Sequence, residues 1–142
     1  MSDDGFDDAL ESYQRALGAF LKGDPRAVAE HFSRRDDVTL ANTLGPPRLG
    51  PAEVDKAIEL AAANFEDGHM SFDEISRYAT ADLGYAVWIE RGEVRLVGSE
   101  GLVPSSLRVT MILRHEGDSW KVTHRHADPI TTDRPISIVV DT

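Results

Sequence analysis

EGDSWKVTHRHADP, residues 116–129, contains a turn followed by a strand, and it decides how the rest of the chain is interpreted. Glu116–Ser119 has the composition of a hairpin turn, and Trp120–Ala127 alternates apolar and polar side chains. Side chains two apart on a strand share a face, so Trp120, Val122, His124 and His126 are expected on one side of a sheet.

The strand before this turn supplies the cross-strand partners of the two histidines. Leu107–His115 also has a strand pattern, and a hairpin loop of two or four residues pairs Met111 with His124 and Val109 with His126. Both histidines are therefore expected on the apolar, helix-covered face. This prediction depends on a regular strand, because a bulge would reverse the alternation.

The first half of the chain has helical spacing. Apolar residues recur at helical intervals over Asp7–Leu21 and Pro25–Phe32, and a third helix opens at Pro51 and is expected to end at Gly68. Between the second and third helices, Val38–Ala41 reads as a short strand, and the two prolines of Leu44–Gly50 allow only a turn or an edge.

The second half has the two-residue period of strands. Strands are predicted at Met70–Tyr78 and at Tyr85–Val97, the latter interrupted near Gly92. The tail segment Pro135–Val140 is expected to form an edge strand or to lie against a partner. Helices followed by an antiparallel meander predict an α+β fold, with about three helices packed on one face of a curved sheet.

Composition limits the function classes. The 142 residues predict one domain spanning 1–142, and the net charge of −10 disfavours nucleic acid and anionic membranes as partners. The chain has no cysteine, no apolar run of membrane-spanning length and no signal-peptide pattern in MSDDGFDDALES. We therefore expect a cytoplasmic protein without disulfides.

Several motifs resemble the SnoaL-like branch of the nuclear-transport-factor-like (ketosteroid-isomerase-like) superfamily. They are KGDP at 22–25 between two helices, DDVTL at 36–40, LGPPRLG at 44–50 before a helix, and the closing EGDSWKVTHRHADP. The resemblance covers about residues 7–130 and leaves 131–142 as a C-terminal extension. It implies a cone-shaped fold with a pocket between helices and sheet, commonly built as a homodimer. It implies no single activity, because the superfamily includes isomerases, cyclases, dehydratases, epoxide hydrolases and non-catalytic association domains.

Known chemistries of the superfamily fit the residues poorly. Ketosteroid isomerization needs an aspartate base, a tyrosine and a protonated acid. Asn42 is the nearest match to the base, Leu107–His115 contains no carboxylate, and Tyr13 is out of register by about a turn. A cyclase-like reaction has a pocket histidine or Asp128 as its candidate base. An epoxide hydrolase needs a third partner beside Arg108 and Asp128.

Three interpretations of His124 and His126 stay open. In the first, the two histidines are half-buried structural groups. In the second, at least one of them contacts a pocket ligand or transfers a proton to it. In the third, they bind a metal with Asp128. No third histidine lies nearby in sequence, so no metal site and no cofactor is predicted.

The predicted function is the binding of a small, largely apolar molecule. The alternatives are an isomerase, cyclase or dehydratase that acts on a carbonyl compound with one of these histidines as acid or base, and a non-catalytic association domain. The candidate ligand contacts are Trp88, Tyr78, Asn42, Arg108, His124 and His126.

Overall fold

Three helices lie against one face of a six-stranded sheet in the computed structural model, which describes residues 5–141. The first four residues and Thr142, which complete the predicted domain 1–142, lie outside the described part. The elements in chain order are α1 Phe6–Phe20, α2 Arg26–Glu30, β1 Thr39–Ala41, β2 Arg48–Leu49, α3 Pro51–Ala62, β3 Phe65–Ala79, β4 Leu83–Leu96, β5 Val103–Glu116 and β6 Ser119–Asp128, followed by a 3₁₀ helix at Ile136–Val139.

The strand order across the sheet is β2-β1-β6-β5-β4-β3. Strands β3 to β6 form the predicted antiparallel meander, joined at its last corner by the two-residue loop Gly117–Asp118. The short strand β1 runs parallel to β6, so the sheet is mixed and not purely antiparallel as predicted. The α+β class is confirmed, and β2 lies at the edge of the sheet, one of the two alternatives that the prolines of Leu44–Gly50 allow.

The third helix ends earlier than its sequence suggests. It was expected to reach Gly68, but it stops at Ala62, and the side-chain amide of Asn64 donates to the carbonyls of Leu60 and Ala61. Gly68 lies within β3, and a Cβ there would approach the Glu93 carbonyl oxygen to 2.9 Å. This glycine therefore serves a close strand contact and not a helix end.

Two further expectations about local structure are wrong. Strand β4 is continuous through Gly92, because the missing side chain admits the neighbouring β3 backbone and does not break the ladder. Up to Asp141, where the described part of the chain ends, the tail forms no edge strand, and the alternative of contact with a partner stays a prediction. The tail carries the 3₁₀ turn Ile136–Val139, whose apolar side chains are exposed.

The core fills the space between the helices and the inner face of the sheet. Helix α1 contributes Phe6, Leu10, Tyr13 and Leu17, all at helical spacing, and the central strands contribute alternate residues such as Trp88. One continuous apolar cluster results, and it fixes which side of each strand faces inward.

Two glycine substitutions test this close strand packing. A Cβ at position 92 would lie 1.9 Å from the His69 carbonyl oxygen, so Gly92→Ala should lower the free energy of unfolding by about 2–3 kcal/mol. Gly18, within α1, faces open space, and Gly18→Ala should instead stabilise by about 0.5–1 kcal/mol. Urea unfolding measures both, and a neutral Gly92→Ala would contradict the contact.

Candidate functional site

A cavity of about 270 Å³ opens between the three helices and the sheet. Its buried end contains Tyr13, Phe32 and Arg125, and exposed residues such as Leu44 and Leu96 lie at its mouth. The walls are mainly apolar. The lining residues are Tyr13, Leu17, Phe20, Val28, Phe32, Leu40, Asn42, Thr43, Leu44, Ile58, Ala61, Asn64, Phe65, Leu96, Leu107, Arg125 and Ala127.

A bulge in β6 decides which side chains reach this cavity. Leu113 pairs with Val122 and Ile112 pairs with His124, so Thr123 is an additional residue that has no partner on β5. The extra residue reverses the alternation. Beyond it, Arg125 and Ala127 point inward, opposite Met111 and Val109.

The predicted orientation of the histidines is therefore wrong. His124 pairs with Ile112 and His126 pairs with Thr110, on the face of the sheet away from the helices. Neither lines the cavity. The residue between them, Arg125, occupies the inward position that the regular alternation assigned to a histidine.

Arg125 forms a buried ion pair at the cavity's inner end. Its two terminal nitrogens donate to the two carboxylate oxygens of Glu90 at 3.0 and 3.3 Å. The indole nitrogen of Trp88 donates to the same carboxylate at 3.1 Å, and the guanidinium also contacts the Met111 sulfur. Burial lowers the pKa of Arg125 and is the largest single influence, but the charge of Glu90, the Tyr13 side chain and the hydrogen bonds to both residues together outweigh it, so the net pKa is raised and the guanidinium stays protonated.

Tyr13 completes this polar group from the helical side. The guanidinium carbon of Arg125 lies 5.7 Å from the centre of its ring. Burial raises the pKa of Tyr13 to about 12, partly offset by the positive charge of Arg125. The phenol therefore stays protonated at neutral pH and keeps a hydrogen-bonding hydroxyl beside the guanidinium.

The histidines belong to a separate cluster on the outer face. His124 Nδ1 and Thr39 Oγ1 are hydrogen-bonded at 2.7 Å, and burial lowers the pKa of His124, helped by the nearby His126. His126 bonds to Asp128 at 2.7 Å, and Arg108 donates to the other oxygen of that carboxylate. Burial raises the pKa of Asp128, but these two hydrogen bonds, a third from the Ile130 backbone and the charge of Arg108 together outweigh it and lower the pKa to about 2. Among the described residues, no cluster of three or more potential ligands could hold a metal ion.

The other candidates divide between core, surface and mouth. Trp88 is fully buried beside Glu90, and Tyr78 is 62% exposed on β3. Arg108 is on the outer face with Asp128, away from the cavity. Asn42 does line the cavity near its mouth, where its side-chain oxygen accepts a hydrogen bond from the Leu44 backbone. Of the six candidate contacts, only Asn42 lies on the cavity wall.

Sequence reasoning missed the three residues that form the polar end. Glu90 lies two residues after Trp88 on a strand, and side chains two apart share a face. If the tryptophan is in the core, the Glu90 carboxylate is therefore also on the inner face. Tyr13 lies on the face of α1 that helical spacing predicts to be buried, together with Leu10 and Leu17. Regular alternation from Trp120 places Arg125 on the outer face, and no residue in THRH signals the bulge that reverses this orientation.

Comparison with known proteins places this geometry in a family. The SnoaL-like domain family model matches residues 10–131. The chain belongs to the SnoaL-like domain family. No curated protein matches the chain.

Solved structures share the SnoaL-like fold at low sequence identity. A candidate dehydratase of the nuclear transport factor 2-like family from Streptomyces avermitilis has a TM-score of 0.75 at 20% identity, covering 91% of this chain and 96% of that one. A ketosteroid isomerase-like protein from Erwinia carotovora atroseptica has a TM-score of 0.72 at 18% identity, covering 91% of this chain and 96% of that one. A candidate calcium/calmodulin-dependent protein kinase type II association domain from Thiobacillus denitrificans has a TM-score of 0.69 at 20% identity, covering 87% of this chain and 93% of that one. At these identities the likeness shows the fold alone.

Removal of one partner tests the buried ion pair. Arg125→Met leaves Glu90 without its counter-charge, so the free energy of unfolding should fall by about 3–5 kcal/mol, and adding Glu90→Gln should recover much of the loss. Arg108→Met breaks an exposed pair and should cost about 1 kcal/mol or less. Urea unfolding of the variants measures these free energies. An equal loss for Arg125→Met and Arg108→Met would contradict the burial of the Arg125–Glu90 pair.

Proposed function

We propose that this SnoaL-like protein binds a small, largely apolar molecule in the cavity between helices and sheet. The observation that carries the proposal is the cavity itself: about 270 Å³, lined mainly by apolar side chains, with polar groups converging at its buried end. Apolar walls with a few fixed polar groups are typical of small-molecule sites. The volume fits a ligand of about a dozen non-hydrogen atoms, just below the usual range for such sites.

A second depression is larger but suits a ligand less well. The groove beside Trp120, of about 690 Å³, is open to solvent and has a more polar lining. Within it, Ser12 and His31 are hydrogen-bonded at 2.8 Å, and the other ring nitrogen of His31 contacts the Ala27 carbonyl. The first bond joins α1 to the end of α2 and the second holds the ring of His31 against α2, so both have a structural role. We therefore assign the ligand to the enclosed cavity.

Acid–base catalysis by His124 or His126 has little support. That alternative requires an imidazole exposed to the ligand, and both rings are on the outer face. The lining residues of the cavity include no aspartate, glutamate or histidine, and Tyr13 is held protonated. Proton abstraction from a bound carbonyl compound therefore lacks an evident base, and we propose binding without assigning turnover.

Filling the cavity tests the binding proposal. Ala61 lies on the cavity wall, whereas Ala63 is exposed two residues later. Ala61→Phe should weaken the binding of naphthalene by about tenfold or more, which corresponds to about 1.4 kcal/mol, because the ring occupies the ligand's space. Ala63→Phe should leave the affinity unchanged. Methyl NMR titration measures both, and the absence of any naphthalene binding to the unaltered protein would refute the proposal.

We also propose that the chain forms a homodimer through the outer face of the sheet. Tyr85, Val87 and Ile89 of β4 point outward in alternation with buried residues, and Tyr78 and Ile112 flank Tyr85 in the same row. Tyr78 is 62% exposed and Tyr85 is 39% exposed, an apolar surface that a second copy would cover. The solved structure from Thiobacillus denitrificans, described as an association domain, gives this proposal a precedent in the fold.

An arginine on this outer face should prevent the association. Tyr85→Arg places a charge among the apolar side chains and should convert the dimer to a monomer. Leu60→Arg is the matched control, because Leu60 is 57% exposed on α3 and lies away from the sheet face. Light scattering measures the mass of each variant. A monomeric unaltered protein, or a dimeric Tyr85→Arg variant, would contradict the proposed interface.

A further inference from the structure

The charge balance at the buried end of the cavity sets a condition on what binds there. Among the lining residues, Arg125 carries the single formal charge, and Tyr13 is protonated. An arginine at the end of an apolar cavity would ordinarily select a carboxylate, because its guanidinium can donate two parallel hydrogen bonds. In this protein that charge already has a partner.

The partner is Glu90, which lies behind the arginine and does not line the cavity. Its side chain is 3% exposed, and both carboxylate oxygens accept from Arg125. The first of these oxygens also accepts from the Trp88 indole. The buried end of the cavity therefore has no net charge, although it still presents the edge of a guanidinium.

Hydrogen-bond donors remain after this pairing. A guanidinium has five N–H groups, of which two are used on Glu90, one contacts the Met111 sulfur and one is hydrogen-bonded to the Tyr13 hydroxyl. The one N–H group that is left and the proton of the Tyr13 hydroxyl belong to two residues that both line the buried end of the cavity. The site thus offers donors, and its one buried carboxylate is already occupied.

We propose that Glu90 determines the charge selectivity of the cavity. By neutralising Arg125 from behind, it makes the site a receptor for a neutral oxygen acceptor, such as a ketone or amide carbonyl, and excludes carboxylates. This inference rests on the proposed ligand-binding function. A carboxylate would add a second negative charge beside one cation in a water-poor site. The attraction to Arg125 would then not offset the free energy lost when the carboxylate gives up its hydration. A neutral carbonyl loses little hydration and receives the same donors.

A matched pair of probes tests this selectivity. 2-Acetylnaphthalene and 2-naphthoate have the same number of non-hydrogen atoms and differ mainly in the charge of one end. The unaltered protein should bind the ketone at least about tenfold more tightly in methyl NMR or calorimetric titrations. Equal or tighter binding of the carboxylate would overturn the inference and leave the binding proposal standing.

Substitution of Glu90 should reverse the preference. Glu90→Gln leaves Arg125 with an uncompensated charge, so 2-naphthoate should become the tighter ligand and should raise the melting temperature more than the ketone does. Glu93→Gln, at an exposed glutamate on the same strand, should keep the original preference. An unchanged preference in a folded Glu90→Gln variant would overturn the role of Glu90.

The remaining outcomes are also decisive. If Glu90→Gln does not fold, the comparison of the two probes on the unaltered protein still decides the proposal. If naphthalene binds but neither polar probe does, the inference fails because the buried end rejects oxygen acceptors. If naphthalene does not bind either, the ligand-binding function itself is refuted and the inference falls with it.

Discussion

The ion pair between Arg125 and Glu90 is the interaction on which the site depends. Both groups are buried, and removing either one would leave the other charge buried without a partner, at a cost of about 3–5 kcal/mol. Arg125 reaches this position because the extra residue Thr123 shifts β6 by one place against β5. The same bulge turns the two flanking histidines away from the cavity, so one local irregularity determines both the cavity end and the outer cluster.

The two faces of the sheet therefore have different chemistry. The inner face meets the helices, closes the core and leaves a cavity whose buried end has hydrogen-bond donors but no net charge. The outer face combines tyrosines and aliphatic side chains with the His126–Asp128–Arg108 cluster. We propose that a small ligand occupies the cavity at the inner face and that a second copy of the chain covers the outer face. Strand alternation keeps the two proposed sites apart, because each strand contributes to both faces.

Sequence analysis predicted the fold well and the site poorly. Helical and two-residue periods predicted α1 and the meander, because these features depend on local patterns of apolar residues, and the prolines of Leu44–Gly50 restricted that segment to a turn or an edge. The parallel pairing of β1 with β6 was missed, since it joins residues about 85 positions apart that no local pattern connects. The end of α3 was misplaced because the glycine at 68 also suits a close strand contact.

The site residues were missed for a specific reason. The rule of alternation was applied through Thr123, where the strand contains an extra residue, and every later assignment on β6 was inverted. Arginine and glutamate usually lie at the surface, so their residue types do not predict that Arg125 and Glu90 are buried in the core. The spacing of Trp88 and Glu90 on one strand face was the available signal.

The register of β6 against β5 is the central claim, and contacts of the Met111 methyl group test it most directly. A nuclear Overhauser experiment on a sample with labelled methionine methyl groups should show cross-peaks from Met111 to the Arg125 side chain, which pairs with it across the strands. Cross-peaks from the Met111 methyl to the His124 imidazole, with none to Arg125, would show a regular strand without the bulge. The buried ion pair and the cavity assignment would then both be wrong.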